Sequence, residues 1–201
     1  MALIKLNNRG VKDATAFGSI SSLGELTFIS KQTASSSATI SFTSGIDSTY
    51  KEYIFYFNNL HPSADNVLFQ FQGNASGGSG YNETITSSVF QAYHDEADTD
   101  TNLGYSGYRD QANGTSFQDI NDSLGNGNDE SLAGYLRLFN PSGTTFVKHF
   151  MGLTARYHTV DYTNQMYLAG YFNTTSAIDE IQFKMSSGNI DSGDILLFGL
   201  N

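Results

Sequence analysis

Tyr53-Ile54-Phe55-Tyr56-Phe57 and Val67-Leu68-Phe69-Gln70-Phe71 are aromatic, aliphatic-rich runs in a chain cut apart by loops of Gly, Ser, Asn and Asp. Residues of this type suit a pleated, half-buried surface, so each run reads as a strand. The chain ends on another, Ile195-Leu196-Leu197-Phe198-Gly199-Leu200. Working outward, the same pattern predicts strands over Leu26–Ser30, Thr39–Thr43, Glu52–Asn58, Asn66–Gln72, Leu132–Phe139, Thr145–Thr154, Gln165–Phe172, Ile178–Lys184 and Asp194–Leu200. Turn residues separate them at Thr43-Ser44-Gly45, Gly77-Gly78-Ser79-Gly80, Asn140-Pro141-Ser142-Gly143 and Ser186-Ser187-Gly188-Asn189. Pro141 presets φ for a tight turn, so the strands flanking it are expected to form a hairpin. A strand pair joined through Ser186–Ser192 is expected to close a sandwich edge, with Gly188 and Gly193 at positive φ.

Between about Asn74 and Glu130 the strand signal weakens into Gly, Asn, Asp and Ser. A structureless insertion of that size is unusual inside a compact domain. Strands near Thr84–Tyr93 and Gly104–Arg109 and a helical turn near Phe117–Leu124 are expected there. No helical period of useful length and no internal repeat is visible. The expected fold is all-β: one antiparallel β-sandwich over residues 25–201, jelly-roll-like, behind an extended docking arm over residues 1–24.

The chain has 201 residues, enough for one sandwich or barrel. It carries a net charge of −10, and only 15% of its residues are charged. Ser, Thr, Asn and Gly must therefore supply much of the solubility. The first 31 residues hold four cations (Lys5, Arg9, Lys12, Lys31) against Asp13 and Glu25, a net of +2, which leaves −12 on the rest. Phosphate recognition needs clustered Lys and Arg, so neither nucleic acid nor an anionic membrane is an expected partner. No cysteine is present, which removes disulfides, thiolate nucleophiles and zinc–thiolate sites. No apolar core follows Met1, so no signal peptide is expected, and no apolar run reaches the roughly 18 residues of a membrane span.

Asp98, Asp100 and Asn102 have the alternate spacing of a calcium loop. Leu103 then stands where such a loop needs Gly, and Arg109 where it needs Glu, so a solvated acidic tip is the alternative. His94-Asp95-Glu96 has the H-x-E form of zinc deaminases but lacks their cysteines. His61, His94, His149 and His158 show no H-E-x-x-H spacing, and His149 reads as a packed or interface histidine. Gly104-Tyr105-Ser106-Gly107 falls one residue short of a nucleophile elbow. Gly125-Asn126-Gly127-Asn128-Asp129-Glu130 lacks the lysine of a phosphate loop. Carboxylate pairs for glycoside hydrolysis meet only in space and leave no linear mark. No catalytic residue, cofactor or metal ligand is assigned. Tyr81, Tyr93, Tyr105 and Tyr108 sit in the loop-rich middle and are candidates for a sugar-binding platform; covering the core or lining a subunit interface is the alternative. Five N-x-S/T strings begin at Asn74, Asn82, Asn113, Asn121 and Asn173, without meaning for glycosylation in the absence of a secretory signal.

Several blocks carry a resemblance. They are Gly170-Tyr171-Phe172-Asn173-Thr174-Thr175-Ser176-Ala177-Ile178-Asp179, Ile181 to Ile190, and Ser192 to Leu200. Phe42 to Tyr50, Asn59-Leu60-His61-Pro62 and Leu138 to Thr145 belong with them. Together these blocks resemble a group of small proteins of tailed bacteriophages, especially phages of marine bacteria and cyanobacteria. The resemblance implies a non-enzymatic virion structural protein, either head decoration or a tail-fibre or appendage subunit. It implies partners among capsid or tail proteins, self-association with a trimer as the expected form, and residence in the virion. A carbohydrate- or receptor-binding module that reads host surface glycans is the alternative.

Overall fold

A computed structural model of the chain describes residues 26–201. The arm expected over residues 1–24 lies outside the described residues. Among the described residues thirteen strands follow one another: β1 (Thr27–Thr33), β2 (Ile40–Phe42), β3 (Glu52–Pro62), β4 (Phe69–Ala75), β5 (Ile85–Asp95), β6 (Thr101–Tyr105), β7 (Ala112–Gly114), β8 (Gln118–Asp119), β9 (Leu132–Phe139), β10 (Lys148–Tyr157), β11 (Tyr162–Phe172), β12 (Ile178–Met185) and β13 (Ile190–Leu200). They form an antiparallel β-sandwich. The large sheet has the order β1-β13-β3-β9-β10-β11-β5-β6, with β7 also on β5. The small sheet has the order β2-β12-β4-β8. Setting aside β5–β7, β10 and β11, the other eight strands run first-eighth-third-sixth in one sheet and second-seventh-fourth-fifth in the other.

Period-two alternation drives this arrangement. On β12, Ile181, Phe183 and Met185 are buried, while Gln182 and Lys184 point the other way. On β3, Tyr53, Phe55 and Phe57 are buried against them. Phe183 is the hub of the core. Its ring lies 5.3 Å from Phe55, 5.4 Å from Phe57, 5.6 Å from Phe69, 6.2 Å from Phe42 and 6.4 Å from Phe71. Those rings come from both sheets, so one side chain couples the two layers. The contacts with Phe42, Phe55 and Phe57 are edge-to-face and that with Phe69 is stacked, geometries that add to the burial of apolar area.

The hairpin predicted at Asn140-Pro141-Ser142-Gly143 is present. β9 and β10 pair antiparallel, with Asn140 at φ 43° and a Gly143 N–H to Asn140 C=O bond of 3.1 Å. Four expectations are corrected, in whole or in part. The stretch Phe117–Leu124 forms no helical turn. Gln118–Asp119 pair with β4 as β8; beyond them Ile120 N–H reaches Phe69 C=O at 3.0 Å and Leu124 N–H bridges to Val67 C=O, just before β4, at 2.8 Å. Gln118, Ile120 and Leu124 are buried there, and pairing with β4 satisfies the backbone that burial would otherwise strand.

The segment Ser186–Ser192 joins no hairpin either. β12 lies in the small sheet and β13 in the large one, so this segment crosses between layers. β13 then sits between β1 and β3 instead of at an edge. Gly188 and Gly193 do have positive φ, at 68° and 109°. A Cβ on Gly193 would fall 2.5 Å from Asn59 C=O, at the bulge where β13 passes β3. In the middle region, the expected strand Gly104–Arg109 is displaced to Thr101–Tyr105. His149, expected to be packed or at an interface, is not packed in the core: it is exposed on the outer face of β10, with its ring 5.9 Å from Tyr171.

Truncating the hub tests this description. Phe183→Ala should lower the unfolding free energy by about 3–5 kcal/mol, read by urea denaturation. A loss under about 1 kcal/mol would show that the five rings close over the gap and that no single ring holds the layers.

Candidate functional site

The small sheet covers the inner face of the large sheet. The large sheet's outer face is aromatic where alternation would put polar residues. Direct cross-strand partners run in one row from Leu196 through Tyr56, Tyr135, Leu153, Tyr167 and Phe90 to Tyr105. The adjoining row runs from Phe28 through Phe198, Ile54, Arg137, Met151 and Ala169 to Ser88. Rings touch along these rows: Phe28–Phe198 at 5.6 Å, Phe198–Tyr56 at 5.7 Å, Tyr56–Tyr135 at 6.3 Å. Phe90 and Tyr167 stack at 4.6 Å with planes 5° apart. Tyr105 is 62% exposed, Phe28 55%, Met151 52% and Phe90 46%. A face this wide exceeds the scattered surface apolar residues that need no explanation.

Charge on this face is cancelled locally. Arg137 Nε donates to Glu52 Oε1, and its guanidinium lies 5.6 Å from the Phe139 ring. The Glu52 carboxylate holds the Arg137 pKa above its ordinary value. At the β1 edge, Lys31 Nζ lies 3.3 Å from Asp194 Oδ2. A groove of about 230 Å³ opens between Phe90, Tyr167, Tyr135, Arg137, Met151 and Leu153. That is below the roughly 300 Å³ at which small-molecule pockets begin, and it suits one inserted side chain. The outer face of the small sheet contrasts with this: Ser41, Gln182, Glu180, Lys184 and Gln70 line it.

The four candidate tyrosines do not form one platform. Only Tyr105 joins the aromatic row; its hydroxyl donates to Asp110, which pushes the phenol pKa up. Tyr93 alternates to the opposite face, stacks on Tyr162 at 5.3 Å and donates to Asp100 Oδ2 at 3.2 Å. Tyr108 accepts from Gln91 Nε2 at 3.2 Å on that same side and carries the Arg109 guanidinium 4.8 Å above its ring. Tyr81 donates to Glu180 Oε2 at 2.8 Å over the small sheet.

The acidic cluster closes the β5–β6 hairpin. Asp95 accepts from Thr99 N–H at 2.8 Å, Thr99 Oγ1 at 2.5 Å and Asp100 N–H at 2.9 Å. Those hydrogen bonds hold its carboxyl below the ordinary range. Asp98 sits 3.3 Å from His94 Nε2. Among the described residues no group of three or more His, Cys, Asp or Glu is arranged to hold a metal ion, and no helix is long and apolar enough to cross a membrane.

A second cluster is buried where the 106–124 segment passes beneath β10. Arg109 reaches Asp122 Oδ1 at 2.5 Å and Asp119 Oδ2 at 3.4 Å. Arg156 donates to Ser123 C=O at 2.8 Å and lies 4.0 Å from Asp122 Oδ2. Burial lowers the Arg156 pKa to about 10 and raises that of Asp119. Burial also works to raise Asp122, but the Ser123 N–H and the arginine charges outweigh it and leave the carboxyl below its ordinary value. His158 is held below its ordinary value by burial, then by the Arg156 charge. Perturbed groups of this kind often mark function. Here Arg156 on β10 ties the segment to the sheet through Ser123 and Asp122, and Arg109 braces the segment against its own Asp119 and Asp122, so the cluster reads as a structural anchor.

Sequence reasoning missed the aromatic face because it took these strands as one-sided. A signal was available: β3, β9 and β11 carry large apolar residues at both alternating positions, as strands buried on both faces do. Comparison with protein-family models, with curated proteins and with solved structures found no match.

Two outcomes check the anchor. Asp122→Asn leaves two arginines short of counter-charge and should cost about 3 kcal/mol in denaturant unfolding. His158, with its folded pKa below the unfolded value of about 6.5, favours folding while neutral. Its contribution is present above that value and is lost as pH falls through the lower folded pKa. The melting temperature should therefore drop between about pH 7 and pH 5.5, and His158→Asn should flatten that drop.

Proposed function

We propose that this chain is a non-enzymatic structural subunit of a tailed-bacteriophage virion, in head decoration or in a tail fibre or appendage, which works by packing onto the particle and onto itself. One observation carries the reading: an acidic chain keeps an aromatic face of eight strands nearly free of net charge. Exposed apolar area of that extent is unfavourable in water unless a partner covers it. The resemblance of the Gly170–Leu200 region to phage proteins supports the virion setting. The strand order supports a jelly-roll reading of the sandwich, an architecture common in capsid proteins. The other virion proteins are the proposed partners, and the virion is the proposed location.

A second reading, host-glycan or receptor binding, is favoured by Tyr105 and Tyr108, which stand 62% and 64% exposed. The two readings separate experimentally. Immunogold labelling of intact particles should place the chain on the head or on the tail, and unlabelled virions would overturn both readings. Tyr108→Ala, off the aromatic face, should leave particle assembly intact. Loss of cell or glycan binding in that variant would favour the adhesion reading; unchanged binding would count against it.

A further inference from the structure

We infer that the outer face of the large sheet is a self-complementary interface, and that its occupant is the same face of a second copy of this chain. The inference goes beyond the virion reading and does not depend on it. Three observations choose the occupant.

The first is electrostatic. Each copy carries −10, so two copies repel over most approaches. The aromatic face is where they can meet without opposing carboxylates, because Arg137 and Glu52 arrive paired, as do Lys31 and Asp194 at the rim. A basic partner would find no unpaired carboxylate at the centre of the face to engage.

The second is ring orientation. A sugar stacks on the flat of an aromatic ring. Phe90 and Tyr167 use their flats on each other, with planes 5° apart, and Phe28, Phe198, Tyr56 and Tyr135 are engaged edge to face. In the stacked pair Phe90 and Tyr167 the facing flats are closed to a sugar and the ring edges remain. Edges suit interdigitation with other side chains, which is how two packed sheets fit. The groove of about 230 Å³ beside Met151 has room for one such side chain.

The third is area. Beside the two rows a third holds Glu52, Phe139, His149 and Tyr171; about seven strands at about 4.8 Å spacing and three rows at about 7 Å give roughly 700 Å² per copy. Two copies then bury roughly 1,400 Å², within the roughly 1,200–2,000 Å² of stable interfaces. A two-fold contact needs one patch to meet itself. β9 and β10 are the fourth and fifth of the eight strands in order, so Arg137, Met151, Tyr135 and Leu153 lie nearest the centre. The second copy would repeat outside the molecule the sheet-on-sheet packing already present inside it.

The chain has no cysteine, so a single introduced thiol reports without background. Met151→Cys, exposed at the centre of the face, should give a disulfide-linked pair of chains on mild oxidation; Gln182→Cys, on the outer face of the small sheet, should not. Sedimentation of the unmodified chain should return the mass of two chains. Met151→Arg and Phe90→Lys, both at exposed positions, should each return the mass of one chain with unchanged circular dichroism. The inference is overturned if the unmodified chain sediments as one chain, if it forms a three-chain ring, if it stays paired in both charged variants, or if Gln182→Cys crosslinks as readily as Met151→Cys. A single-chain result would leave the face to a different protein or to a glycan. Should a charged variant fail to fold, the cysteine pair decides alone.

Discussion

The ring of Phe183 meets five other phenylalanine rings, drawn from β2 and β4 beside it and from β3 across the core. Everything else in the molecule is arranged around that contact. It requires β12 to sit at the centre of the small sheet, between β2 and β4. It also requires β3 to lie directly beneath. Once β3 is placed there, β13 and β9 pair on either side of it, and the insertions β10, β11, β5 and β6 extend the large sheet in one direction only. Close packing explains why so few residues hold two layers together: in a dense interior each ring fills space that its neighbours define.

That one-directional growth has a consequence. The small sheet has four strands and the large sheet nine. The large sheet's inner face beyond the small sheet must be covered by something else, and the 106–124 segment does this at one end. Such a loop brings backbone carbonyls into the interior, where each needs a donor. Arg156 supplies one to Ser123, and Thr154 Oγ1 supplies another to Ile120 at 2.5 Å. Polar residues inside β10 and the acids of the segment are therefore two halves of one solution. The same logic accounts for Lys148, which is 1% exposed and donates to the carbonyls of Phe146 and Thr175 at 2.7 and 3.2 Å.

The two outer faces of the sandwich differ in kind. The small sheet presents amides, hydroxyls and charges to water. The large sheet presents Tyr, Phe, Leu and Met in rows that each cross seven strands. Apolar area left in water forgoes roughly 25 cal/mol per Å² that burial would return. A face of this size is thus a store of association free energy, and its near-zero net charge removes the electrostatic barrier that the rest of an acidic surface raises.

The strands themselves were legible in the amino-acid sequence, because alternation and turn residues are local properties. Glu52, Leu132 and Ile178 were located as strand starts to the residue, and the Asn140–Gly143 hairpin followed from Pro141. Absence of cysteine and scarcity of charge were equally plain. Which strands share a sheet was not legible. Ser186–Ser192 has the composition of a hairpin turn, yet its flanking strands lie in different layers, since pairing depends on partners more than a hundred residues away, such as Glu52–Pro62 for β13. Within Phe117–Leu124, Gln118–Asp119 likewise became a strand because β4 offered an open edge. The tyrosines were visible as residues but not as a surface. Their side of the sheet follows from register, and a shift of one residue reverses it. Tertiary structure alone decided that Tyr56, Tyr135, Tyr167 and Tyr105 share one face while Tyr93 and Tyr108 lie on the other, because a cross-strand row exists only after the strands have been brought together.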